Sequence, residues 1–346
     1  MSPSNSWGQS LLPMRDGITG APSPSARFVE FARDLHRALE APVPELPGET
    51  DLPLAMEIEI AGVFFEIAHD PELNPEAAVI RCGLGAWPET GAIEAMSALL
   101  RCNQRLFRAQ AAMFCFDERQ DSATYAFQLM LESAHAGALL ERMARLARGV
   151  ARWRIDFDPE SLVRDDLASL DHRAGPRVEP GRRRWLEFVR QLPSAHRLLH
   201  MDSFESNPAG EAIASFSMLG SSFTLYQAPG FGSRCILECA IGPPVATELE
   251  ATLRHYLALN HGLAELGRVG FCIDAGDVQA CCVAREDLAE ETATSLLDKV
   301  RRNWGLKRDR WRETRATLQE DDEGDFDNGK VFSMARVPPE IHPHYA

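Results

Sequence analysis

The 346-residue chain lacks an excess of positive charge: 36 Lys and Arg stand against 51 Asp and Glu, a formal net charge of −15. A surplus of acid repels phosphate backbones, so no nucleic-acid partner is expected. It also lacks any apolar run near the roughly 20 residues that span a bilayer, so no membrane insertion is expected. Its first residues, MSPSNSWGQSLLPMRDG, lack the charged start and apolar middle of a secretory signal. These absences predict a soluble, cytoplasmic protein. The eight cysteines include no CxxC pair and no His/Cys cluster at zinc-finger spacing. Most lie in alternating or apolar runs such as RCILECAI and GFCID, which marks them as small buried hydrophobes in a reducing compartment.

Catalytic signatures are missing too. The chain has no GxSxG, GxxxxGKS/T, HExxH or GxGxxG. GFGS at 230–233 has no phosphate-binding helix after it and reads as a turn. Glu57 and Glu59 alternate with Met56, Ile58 and Ile60, which puts both carboxylates on one strand face, better explained by solvation than by catalysis. Asp117 and Asp274 fit turn-forming hydrogen bonds at strand ends, and His255 and His261 are too far apart to share a helix face. The acidic run EDDEGDFDN at 320–328 matches no EF-hand register, and His342 and His344 are too sparse for a metal site. The expectation is a protein that is not an enzyme and has no catalytic residues, cofactor or metal.

What the chain does have is a repeat. A shift of 157 positions lays RFVEFARDL (27–35) on RWLEFVRQL (184–192) with five of nine residues identical. The same shift pairs VIRCGLG (79–85) with ILECAIG (236–242), matching Cys82 to Cys239 and Gly85 to Gly242. It also pairs NQRLFRAQAAMFCFD (103–117) with NHGLAELGRVGFCID (260–274), where Asn103/Asn260, Leu106/Leu263, Phe114/Phe271, Cys115/Cys272 and Asp117/Asp274 are identical. Solenoid repeats have periods of about 20–50 residues, so a shift this long means a duplicated domain. The length agrees, since a domain usually holds about 100–200 residues.

Each copy has the same succession of patterns. Phe28, Phe31, Leu35 and Leu39 recur at helical spacing, as do Trp185, Phe188, Val189 and Leu192. MEIEIAG and VFFEIAHD alternate about a tight Ala61-Gly62 turn, and AAVIRCGL makes a third strand; IASFSML, SFTLYQA and RCILECAI are their counterparts. After a Gly/Pro break come a helix (Ile93 to Leu106; Leu249 to Leu263), two strands, and a closing helix (Leu139 to Trp153; Leu296 to Trp304). The predicted fold is α+β: two α-β-β-β-α-β-β-α domains, each an antiparallel sheet with helices on one face. The boundaries are 1–25 as a disordered tail, 26–157 as copy one, 158–180 as a linker, 181–312 as copy two, and 313–346 as an acidic, Pro-containing tail.

This succession, with a glycine break before the second helix, a helix ending LLxxN (Leu99, Leu100, Asn103) and a strand carrying Phe114 and Asp117, resembles the type III secretion chaperones of the CesT (Tir chaperone) kind. The second copy keeps only LxLN (Leu257, Leu259, Asn260). The resemblance implies a small acidic cytoplasmic homodimer that holds the disordered N-terminal segment of a secreted effector extended, and that meets the secretion apparatus. The YbjN-like regulatory proteins, binding a folded partner, are the alternative of the same fold class. In the chaperone family the two-fold axis runs through the second helix and neighbouring strand, which here implies a pseudo-dimer within one chain. Its interface residues would be Leu99, Phe107 and Phe114 in one half, and Tyr256, Ala264 and Phe271 in the other. The effector would add to an exposed sheet edge and fill grooves beside the first helices, walled by Phe28, Phe31 and Leu35 and by Trp185, Leu186, Phe188, Val189 and Leu192.

Overall fold

The computed structural model describes residues 23–43, 52–88, 90–109, 112–168, 179–195, 199–206, 212–218, 220–227, 234–244, 248–274, 279–287 and 293–298. The N-terminal tail up to residue 22, GFGS, Val300, Trp304 and the C-terminal tail lie outside these.

The first half begins with α1 (Pro24–Ala38), whose start is set by Ser23: its hydroxyl accepts the Ala26 N–H at 3.2 Å, with proline next at the first helical position. Strands β1 (Leu54–Ile60) and β2 (Val63–His69) follow. Between them Ala61 and Gly62 both have positive φ, 52° and 76°, the two-residue turn whose twist suits an antiparallel pair. After β3 (Ala77–Gly85) come α2 (Ala92–Ala109), β4 (Ala112–Asp117), β5 (Ser122–Met130), α3 (Ala136–Asp156) and α4 (Pro159–Ala168). The second half contains α5 (Glu179–Ala195), β6 (Leu199–Ser206), β7 (Ala212–Met218), β8 (Ser221–Gln227), β9 (Arg234–Gly242), α6 (Leu249–Leu263), β10 (Val269–Ile273) and β11 (Ala280–Asp287), with helix again at 293–298.

The fold is α+β with two antiparallel sheets, ordered β1-β2-β3-β5-β4 and β10-β11-β9-β8-β7-β6. The 157-residue shift carries over to several elements: β3 and β9 differ by it at both ends (234 − 77 and 242 − 85), and so do the C-terminal ends of α1 and α5 (195 − 38), while β7 and β8 lie 158 residues after β1 and β2 (212 − 54 and 221 − 63). Gly85 and Gly242 end their strands at φ 107° and 129°, a conformation that side chains resist, which explains why this pair is glycine in both copies.

Two features depart from the sequence reading. The segment expected as a linker from 158 opens with α4, which packs on α3 and buries Leu162 and Val163 completely. It is held by a buried knot: Asp166 accepts the Tyr125 hydroxyl at 2.5 Å and two Arg142 N–H groups at 2.7 Å each. Ten residues of mixed charge hide this helix from periodicity, because its anchors are one carboxylate and two aliphatics. The second departure is β6, an added edge strand on β7 that makes the second sheet six-stranded. Its LHMDSFES carries little apolar alternation, so pairing with β7 rather than side-chain burial makes it a strand.

One face of the first sheet receives α1 and α3 over Phe65, Ile67, Ile80, Cys82 and Phe127; the corresponding face of the second receives α5 over Phe216, Phe223, Leu225 and Leu237. All eight cysteines are reduced and buried, and burial pushes the Cys82 and Cys115 thiols up to about 12. His69 stacks on Phe28 with ring centroids 5.3 Å apart, its Nδ1 lies 3.0 Å from the Ala77 carbonyl oxygen, and its Nε2 is buried without a partner. Burial outweighs the Ala77 carbonyl and Asp70 and draws its pKa below the ordinary 6.5. The unfolded histidine therefore takes up its proton at higher pH than the folded one. His69 contributes its full stability above pH 6.5, and that contribution falls as pH drops from there toward the folded value. Urea midpoints should decline between pH 7.5 and 5.5, and His69→Gln should be less stable at neutral pH with a shallower decline.

Candidate functional site

The two halves meet where each sheet ends. β4 is the edge strand of the first sheet and β10 that of the second, and each edge leaves backbone groups that need partners once buried. The buried amides of Asn103 on α2 and Asn260 on α6 supply them. The Phe114 N–H donates to Asn103 Oδ1 at 2.6 Å, and Asn103 Nδ2 donates to the Phe114 carbonyl at 2.9 Å. Asn260 repeats both bonds with Phe271, at 2.6 and 2.9 Å. Each Nδ2 also lies 3.4 Å from the carbonyl of the other half, Asn103 from Phe271 and Asn260 from Phe114. The two asparagines thus straddle a pseudo-two-fold axis, and the helices cross it: α2 packs on β10 as well as β4, and α6 on β4 as well as β10.

Around this axis Leu99, Phe107, Phe114, Tyr256 and Ala264 are buried and Phe271 is half-buried, stacked on Tyr256 with centroids 5.4 Å apart. Leu253, Tyr256 and Leu257 of α6 are continuous with the first half's core. The sheet faces turned away from α1 and α5 close on each other in a mixed cluster, Val79, Met113, Cys115 and Ala126 against Ile236, Cys272, Cys281 and Val283, joined by Phe107 of α2 and by Ala264 at the end of α6. The 157 shift relates Val79 to Ile236, Cys115 to Cys272 and Ala126 to Val283.

The symmetry is broken where size and charge matter. Phe107 and Met113 are large where their counterparts, Ala264 and Gly270, are small. A Cβ on Gly270 would stand 3.4 Å from Met113 Cε and 3.5 Å from the Phe107 ring. Charge inverts in the same way: Arg81 and Arg108 in the first half correspond to Glu238 and Glu265 in the second. Across the seam Arg81 binds Glu265 at 2.7 Å, with Glu66 at 3.2 Å on its other side, and Arg108 binds Glu238 at 2.9 Å. Burial opposes the charge on both arginines; Glu265 and Glu66 outweigh it at Arg81, and Tyr226 and Glu238 outweigh it at Arg108, so both pKa values are raised. Arg108 also lies 3.8 Å over the Tyr226 ring, and Gln104 donates to Glu238 at 3.0 Å. The first half further holds the end of α6: Gln128 Nε2 donates to the Glu265 carbonyl at 3.1 Å, against Gly267, whose φ of 57° and lack of a Cβ the contact requires. Sequence reasoning found the identities at this seam but not the inversions, although Arg81/Glu238 and Arg108/Glu265 stand in the same aligned windows.

The groove walls expected beside the first helices are not there. Phe28, Phe31 and Leu35 belong to the first half's core, and Trp185, Phe188, Val189 and Leu192 to the second's. A helix laid on a sheet buries its apolar stripe against that sheet, and these stripes are fully used. Leu186 is half-buried against the second core. The exposed large apolar side chains are elsewhere, Phe64 at 63% and Ile155 at 76% among them. Glu57 and Glu59 are exposed, as a solvated face requires. Among the described residues no cluster of three His, Cys, Asp or Glu could hold a metal, and no helix is long and apolar enough to cross a membrane.

No family profile matches the chain, and no curated protein matches it. Among solved structures the ExsC–ExsE complex is matched at TM-score 0.30 and 12% identity, over 38% of this chain and 94% of that one.

Two expected outcomes test the seam. Reversing Arg108 to Glu places like charges against Glu238 in a site where both are largely desolvated, and should cost about 2–4 kcal/mol in urea unfolding. Adding Glu238→Arg should recover more than half of that loss, a coupling that independent surface charges do not show. Asn103→Ala leaves the Phe114 N–H without its side-chain acceptor and the Phe114 carbonyl with only Asn260 Nδ2 at 3.4 Å, and should cost about 2–4 kcal/mol: roughly one to three for the N–H and about one for the weakened carbonyl. Asn103→Ala and Asn260→Ala should combine non-additively, because the two amides share both carbonyls.

Proposed function

We propose that the chain is a non-catalytic protein-binding protein, a chaperone that holds an extended, intrinsically disordered segment of a secreted effector in a form ready for export. The observation that carries this reading is the seam. The family resembled by the sequence works as paired domains joined through the second helix and its neighbouring strand. Here α2, α6, β4 and β10 are joined in that way inside one chain, about Asn103 and Asn260. The Asp166 knot and the paired arginines are engaged in holding elements together. A pair of sheets with solvent-facing outer strands offers backbone pairing to an extended partner, which gains order as it binds.

The protein should sediment at micromolar concentration as one 38.4 kDa species, because the face that pairs domains is already occupied within the chain. When the tagged protein is co-expressed with candidate secreted proteins and purified, the bound protein should be held through a segment that is disordered when free. NMR of the isotope-labelled segment should show its amides dispersing only in the complex. A bound partner that is folded when free supports the regulatory reading instead, and a stable species of twice the mass contradicts the closed pseudo-dimer.

A further inference from the structure

Two matching helix faces serve opposite charges across the seam. On α2, Gln104 and Arg108 stand one turn apart, and both reach Glu238 of β9, at 3.0 and 2.9 Å. The 157 shift maps these three residues onto His261, Glu265 and Arg81. Glu265 does reach Arg81, at 2.7 Å. His261 therefore stands where Gln104 stands, one turn before Glu265 near the end of α6, and beside the Arg81 guanidinium of the first half. Gln104 gives Glu238 a neutral donor. A histidine in the same place beside an arginine suits the seam only while it is neutral, because the protonated ring adds a second cation.

Four charged groups face this ring from the elements around it: Arg81 on β3, Glu66 on β2, Asp117 on β4 and Glu265 just past the end of α6. The three carboxylates favour an imidazolium, but each is already engaged. Glu66 and Glu265 bind Arg81 at 3.2 and 2.7 Å, and Asp117 accepts the Arg119 N–H at 2.9 Å. The Arg81 side chain is only 9% exposed, so water screens its charge little. His261 Nδ1 is buried without a partner. Burial first, and Arg81 second, outweigh the carboxylates and hold the histidine below its ordinary 6.5. A released ring therefore binds its proton at higher pH than the docked one. What His261 contributes to the seam is complete above pH 6.5 and is lost as pH falls from there toward the docked value. At the other end Arg108 and Gln104 keep the same charge throughout that range.

We infer that His261 makes the seam an acid-sensitive joint at one end: in mild acid its protonation beside Arg81 frees Leu263–Gly267 from the first sheet, while the Asn103–Asn260 centre and the Arg108–Glu238 end stay closed. The freed segment carries both contacts that hold this end, the Glu265 side chain on Arg81 and the Glu265 carbonyl that accepts from Gln128 Nε2 at 3.1 Å. The joint works whether or not an effector is bound, so its test is separate from that of the chaperone reading.

Hydrogen exchange of the full chain at pH 7.5 and 5.5 tests it, read as protection factors so that the intrinsic pH dependence of exchange is removed. The amides of Leu266 and Gly267, each bonded to the Leu263 carbonyl at 3.1 Å, should lose more protection at the lower pH than the amides at the matching end of α2. His261→Gln, which installs the residue of the equivalent position, should abolish that extra loss, and His69→Gln should leave it in place. His261→Arg, a fixed cation, should show the loss already at pH 7.5. By NMR the His261 ring should titrate below 6.5. Equal loss at both ends, an undiminished loss in His261→Gln, full protection of His261→Arg at pH 7.5, or a ring that titrates at 6.5 or above would each overturn the inference.

Discussion

Two buried side-chain amides at the seam support most of the architecture. β4 and β10 are strand edges brought into an apolar interior, and an edge without partners there would leave donors and acceptors stranded. Asn103 and Asn260 answer one residue of each edge with a donor and an acceptor, and each reaches the opposite carbonyl as well. That geometry requires α2 and α6 to lie against both strands at once. With the helices so placed, the outer faces of the two sheets come together, and Val79, Cys115 and Ala126 find Ile236, Cys272 and Val283. Apolar burial supplies most of the stabilisation, while the amides fix the register in which it is collected.

A true two-fold axis imposes the same residue on both sides. Arg81 would meet Arg108 of another first half, and Glu238 would meet Glu265 of another second half. Fusing the copies lifts that constraint, and the seam has used the freedom. Arginines are on one side and glutamates on the other, and the bulky Phe107 and Met113 face Ala264 and Gly270. Overpacking in one like pair and a void in the other would each be destabilising. The charge inversion adds repulsion in both like pairs, so unlike halves are the favoured pairing.

The same divergence extends to the outer edges. The second half adds β6 to its sheet, whereas in the first half β1 is the outer strand among the described residues.

Much of the local structure was legible in the residues. The Ala61-Gly62 turn, the alternation of MEIEIAG, the glycines ending β3 and β9 and the buried cysteines all follow from interactions between near neighbours. The duplication was legible because equivalent residues met equivalent demands. Asn103 and Asn260 stood out as an identity, but their purpose depends on strands and a second helix that only folding brings within 3.4 Å. The first helices could be read as amphipathic, and only packing showed that Phe28 and Trp185 spend their apolar faces on their own sheets. α4 escaped notice because one buried carboxylate holds it, and β6 because its neighbour makes it a strand. Periodicity reports what a segment can bury; which surface it is buried against, and which strands it pairs with, are decided by contacts between residues far apart in the chain.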